Sequence, residues 1–138
     1  MKKSLVLVTL LTLMMQGLGL YAQNPANMAL LESTTPDERA TIQTELLTDK
    51  LMLTESQQDQ LAKVNLKYAE QMEAVIKGGA SKWKMYRTAK RFDKEKDGEL
   101  KALLSTSQFS TYLDYKEQLR MDGKEKLLRL REDKSKAK

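Results

Sequence analysis

Between residues 37 and 138 the sequence contains no proline and only four glycines, Gly78, Gly79, Gly98 and Gly123. The two residue types that most often break a helix are therefore almost missing from three quarters of the chain. Leu, Lys, Glu, Gln, Met, Ala and Arg dominate there, and these are the good helix formers. No alternation of apolar and polar residues marks a strand. The expected fold class is all-α, with about four helices.

Helix starts are marked in the sequence. Thr35-Pro36-Asp37-Glu38 is a capping box: the Thr35 hydroxyl can accept from the backbone N–H of Glu38, whose carboxylate can reach back, and Pro36 occupies a first helical position where it loses no bond. That helix should reach about Lys50. Thr54-Glu55-Ser56-Gln57 opens a second helix running to about Lys77, ended by Gly78-Gly79, of which glycine alone tolerates the left-handed conformation cheaply. A third should run from about Ser81 to Leu103. Ser105-Thr106-Ser107-Gln108 opens a fourth, to about Asp133, with Leu104 placed to staple against Phe109. Gly98 and Gly123 fall inside helices and can mark bends. Residues 23–34 read as a flexible polar leader, 35–133 as the helical domain and 134–138 as a disordered basic tail.

Apolar residues recur at three- and four-residue spacing, but the stripes are narrow. The second helix offers Leu61, Val64, Tyr68, Met72, Val75 and Ile76. The third offers Trp83, Tyr86, Phe92, Leu100 and Leu103, and the fourth Phe109, Tyr112, Leu113, Leu119, Leu127 and Leu130. Such helices pack on one side only. A thin, open layer that gains core by pairing with a second copy is expected, because small domains bury a small share of their surface.

Residues 1–22 read as a secretory signal peptide. Lys2 and Lys3 give the charged start, Ser4–Met15 an uncharged apolar run, and Leu20-Tyr21-Ala22 a small-residue exit before Gln23. The run from Leu5 to Tyr21 is short and broken for a membrane span. A periplasmic location with cleavage near Ala22–Gln23 is expected. There is no cysteine and no histidine. Disulfides, thiol catalysis, thiolate metal sites and the usual general base are thereby excluded. No pairing of carboxylates or hydroxyls suggests catalysis, so the chain is expected not to be an enzyme and to use no cofactor. Asp93–Gly98 resembles the start of a calcium loop, but the twelfth position, which needs a bidentate glutamate, is Leu104.

Charge is uneven. Glu32–Asp59 carries seven acids against Arg39 and Lys50, whereas residues 60–115 carry eleven bases against seven acids and residues 116–138 nine against five. An acidic first third and a basic remainder suggest contact between the parts or between subunits. Export removes nucleic acid as a partner.

Two of the capping boxes are nearly one pentapeptide: Leu53-Thr54-Glu55-Ser56-Gln57 and Leu104-Ser105-Thr106-Ser107-Gln108. Each sets an apolar residue before a hydroxyl N-cap, with glutamine at the third helical position. The pair, behind a signal peptide, resembles the LTxxQ family of periplasmic stress proteins (the Spy/CpxP type), and in particular its small Bacteroidetes members. In those, a Thr-Pro-Asp/Glu-Glu-Arg segment like Thr35–Arg39 precedes the first motif and an Asn-Leu-Lys-Tyr-Ala stretch like Asn65–Ala69 follows it. Asp97–Gln108 and Tyr112-Leu113 add to the likeness, which covers most of residues 34–121. Ser105 departs from the motif threonine but keeps the capping hydroxyl.

The resemblance implies an open, hairpin-like layer in an intertwined antiparallel homodimer, cradle-shaped, that holds unfolded envelope proteins without ATP. It casts Leu53, Thr54, Gln57, Leu104, Ser105 and Gln108 as architectural. Some relatives are regulators or zinc binders; the missing histidine and cysteine argue against zinc. The best candidate client surface is the basic stretch Lys77–Lys96, with Lys82, Trp83, Lys84, Met85, Arg87, Lys90 and Arg91 at its heart. Long-range attraction would speed encounter there, and Met and aromatic groups tolerate varied partners. The plainer alternative is a solvated helix face. An anionic membrane surface ranks below unfolded chains as a partner. Two other readings stand beside the chaperone: a regulatory module docking on an envelope sensor or anti-sigma factor, and a structural helical protein with no client.

Overall fold

The computed structural model describes residues 25–138, so the signal-peptide reading and its cleavage point lie outside the described residues. The described residues are all-helical, with no strand: α1 (Pro25–Glu32), α2 (Pro36–Leu51), α3 (Glu55–Lys77), α4 (Lys82–Leu103) and α5 (Thr106–Lys136).

α2 and α3 form an antiparallel hairpin closed by a tight turn. Met52, in the left-handed region at φ 52°, ends α2 by donating its backbone N–H to Thr48 O. Arg39 near the start of α2 pairs with Glu73 near the end of α3 at 2.6 Å, which fixes the antiparallel register. α4 then returns along α3, joined to it through Lys67 and Tyr68, both bonded to Glu99. α5 returns along α2, with Lys126 beside Glu45 and Lys134 on Glu38. Contact between α4 and α5 is slight and polar, carried near their junction by Tyr112, Lys116 and Arg120 on α5 reaching Asp93 and Asp97 on α4.

The core sits where the end of α2, the start of α3, the end of α4 and the start of α5 converge. Leu47, Leu51, Leu53, Leu61, Leu100, Leu104, Tyr112 and Leu119 form it, with Phe109 packed against it. Leu104 and Phe109 thus share one cluster, as a hydrophobic staple requires. α4 and α5 run through Gly98 and Gly123 without a break.

The structure departs from the sequence expectations at three places. Residues 25–32, expected as part of an unordered leader, form a fifth helix whose Leu30 is buried. The reason lies eight residues on: Arg39 Nη1 donates to Leu31 O at 2.9 Å and to Thr34 O at 2.6 Å, collecting carbonyls that a helix end leaves unpaired. The basic tail, expected to begin at 134, is helical to Lys136; lysines suit the negative end of a helix dipole, and Lys134 has Glu38 as partner. Finally, Trp83 and Leu113, placed in apolar stripes by spacing, are 67% and 49% exposed. Both lie beyond the reach of a second packing layer.

Candidate functional site

All three capping boxes form: Thr35 with Glu38, Thr54 with Gln57 and Ser105 with Gln108, each hydroxyl accepting from the third residue's N–H while that side chain accepts from the cap's N–H. The two glutamines do more. Gln57 Nε2 donates to Gln108 Oε1 at 2.8 Å, and Gln108 Nε2 donates to Gln57 Oε1 at 3.2 Å. The second N–H of each amide crosses to the end of a helix in the other half, from Gln57 to Leu103 O and from Gln108 to Leu51 O. Each oxygen accepts from its own cap N–H and from the facing amide, and Gln57 Oε1 accepts from the Thr54 hydroxyl as well. Both amides are therefore fully used, in a near-twofold arrangement. With Leu53 and Leu104 buried alongside, this clasp is structural.

A second polar cluster lies between α4 and α5. Lys116 Nζ donates to Asp93 at 2.8 Å and to Asp97 at 2.6 Å, and Arg120 reaches Asp93 at 3.2 Å. Lys96, half-buried beside it, donates to Gln43 Oε1 at 2.7 Å. Burial lowers its pKa to about 8, with Asp93 opposing that fall and Lys116 adding to it. Burial and the bond to Asp97 push the Tyr112 hydroxyl far above its ordinary range. The charges largely satisfy one another, and the arrangement acts as a brace. Among the described residues no group of three His, Cys, Asp or Glu is placed to hold a metal ion. No described helix is long and apolar enough to cross a membrane.

The residues marked by the sequence as a client surface share the first half of α4. Ser81 caps this helix, its hydroxyl accepting from Lys84 N–H. Lys82, Trp83, Lys84, Arg87, Lys90 and Arg91 are exposed, and Met85 is half-buried. Trp83 stacks on Tyr86 at 5.8 Å between centroids, with Lys90 Nζ over the Tyr86 ring at 5.4 Å. Trp83, Lys84, Arg87 and Arg91 border one shallow depression. Lys82, Lys84, Arg87 and Lys94 have no ion-pair partner among the described residues; Arg91 has Glu95 at 3.6 Å. The opposite side of α4 carries Phe92, tilted against Tyr68 at 5.8 Å, and the buried Leu100. The helix thus divides into an inward apolar side and an outward basic side.

Sequence reasoning missed three polar residues that organise the fold. Arg39 is 6% exposed, and its bond to Glu73, with Lys77 adding a second, holds the Glu73 carboxyl below the usual range. Asn65 is buried between α2 and α3, donating to Thr44 Oγ1 at 2.9 Å, while its Oδ1 has no partner among the described residues. The signal for Asn65 was its place in the stripe between Leu61 and Tyr68.

A family model described as a domain of unknown function, DUF4890, matches residues 22–112. The chain belongs to the DUF4890 family. The match takes in α1 to α4, both glutamine motifs and the start of α5, so the clasp and the basic face both fall within the family domain. No curated protein and no solved structure matches this DUF4890 chain.

Proposed function

We propose that this DUF4890 protein is an exported, periplasmic holding protein of the LTxxQ type. It binds unfolded envelope proteins without ATP or cofactor, catalyses no reaction, and forms a homodimer. The observation that carries this reading is the outward side of α4, where unpaired bases surround a tryptophan that is 67% exposed. Tryptophan is enriched at protein interfaces, where its large ring buries much area. Lysine and arginine around one attract acidic, unfolded segments and hold them loosely. The paired motifs support the resemblance that names the class of client.

A reduced, unfolded client protein mixed with an equimolar amount of this protein should remain in solution, as followed by light scattering. The triple change Lys84→Glu, Arg87→Glu, Arg91→Glu should abolish the effect while leaving the helical circular dichroism intact. Unimpeded aggregation with the unaltered protein would sink the reading. A pull-down from envelope extract that returns one stoichiometric protein instead of many denatured ones would favour the regulatory module.

A further inference from the structure

α3 and α2 expose a face that α4 does not cover and that α5 borders at Lys126. Along it runs a groove of about 440 Å³ lined by small side chains such as Thr41, Thr48 and Ala62 together with Leu66, and edged by Asp37, Glu45 and Asp49 with Lys126 as its one base. Asp37 and Asp49 have no ion-pair partner among the described residues, and Glu45 has only a long contact of 3.9 Å to Lys126. The molecule therefore carries a groove on one hairpin with three acids against the single base Lys126, and on α4 a ridge of bases of which Lys84, Arg87 and Lys94 are unpaired among the described residues.

The two match in spacing. On α2, Glu45 and Asp49 are one turn apart, and Asp37 lies two turns before Glu45. On α4, Lys84 and Arg87 are one turn apart, and Lys94 lies two turns after Arg87. At about 1.5 Å per residue, both rows are on the order of 15–18 Å long. Laid antiparallel, Asp49 meets Lys84, Glu45 meets Arg87 and Asp37 meets Lys94. The small residues of the floor let a second helix approach closely, and Trp83 stands on the same side of α4 as the bases. We propose that the basic side of α4 docks into the acidic α2–α3 groove of a second copy of this chain. Each copy carries both surfaces, so a twofold pair makes the contact twice and closes on itself. This inference deepens the homodimer in the proposed function by naming its interface, and it makes the partner copy a competitor for the face offered to clients.

Charge exchange tests it, on protein produced from the full-length sequence. Glu45→Lys with Asp49→Lys should weaken self-association by about tenfold or more, and so should Lys84→Glu with Arg87→Glu. In a mixture of the two variants every contact again joins opposite charges, so dimers should return. All four changes in one chain should dimerise as well as the original. Sedimentation equilibrium reads the masses. Trp83, the only tryptophan in the chain, reads the site: its emission should shift to the blue as dimer forms. A monomeric unaltered protein, a dimer indifferent to both variants, or two dissociated variants that do not recombine would each overturn the proposal. The holding function fails separately. The Glu45→Lys/Asp49→Lys protein keeps a free basic face, so it should hold clients at least as well as the original; a dimer that behaves as described but holds no client refutes only that function.

Discussion

The two ends of the α3–α4 hairpin are built on opposite terms. Where α4 runs into α5, four helix termini meet over a leucine core and two amides spend their donors and acceptors on each other, on their own caps and on two helix-end carbonyls. Where α3 turns into α4, Gly78 and Gly79 are exposed, the next five charges are all positive, and the largest side chain faces water. The first end has its partners inside the chain. The second has few partners inside the chain, and its bases and its tryptophan face water.

Breaking the contrast should be easiest at the core. Leu100→Ala, at a residue with no exposure, should cost about 2–5 kcal/mol in urea unfolding. Trp83→Ala at the open end, measured at a dilution where the chain is monomeric, should stay within about 0.5 kcal/mol of the original, as surface changes do. Equal losses would mean the open end is packed after all. Next in size, Gln57→Glu keeps an acceptor for its own helix cap but forfeits the N–H groups that reach Gln108 and Leu103. A loss of about 1–3 kcal/mol is expected, and adding Gln108→Glu should cost more than a second such loss, because two carboxylates then face each other.

The Arg39–Glu73 pair, beside the open end, gives a pH test. Arg39 holds the folded-state pKa of Glu73 below its unfolded value. Its stabilisation is therefore present above the unfolded carboxylate value, about 4.3, and is lost as pH falls through the lower folded one. Glu73→Gln should flatten that part of the acid-unfolding curve, while Trp83→Ala leaves it unchanged. The smallest effects concern the two turns. Gly79 has φ 67° and open space around it, so Gly79→Ala should cost about 1 kcal/mol for the backbone alone. Met52 already bears that strain, and Met52→Gly should recover up to about 1 kcal/mol in thermal unfolding.

What could be read from the sequence was local. Thr35, Thr54 and Ser105 announce helices because a cap and its third residue lie in one turn, and the missing prolines fix the class. The basic face of α4 was legible because its charges are adjacent in the chain. Relations across the fold were not. Nothing near Gln57 shows that its amide faces Gln108, 51 positions away. Arg39 reads as a surface base until its partners are seen, the carbonyls of Leu31 and Thr34 before it and the Glu73 carboxylate across the hairpin. Trp83 was misplaced because spacing gives a helix its periodicity but does not say how many neighbours it will have. The leader was misread because its order depends on Arg39.

The clasp also has a bearing on the order of assembly. The α2–α3 hairpin closes over the short turn at Met52, whereas the amide pair encloses 51 residues, and the entropic cost of closure grows with the length enclosed. During synthesis the hairpin is complete well before Ser105–Gln108 exists, and until then Leu47 and Leu61 have no α4 or α5 to cover them. The newborn chain thus passes through a stage with bare leucines, and it is the arrival of the second glutamine that ends it. Pulsed hydrogen exchange during refolding should accordingly protect α2 and α3 before the first turn of α5.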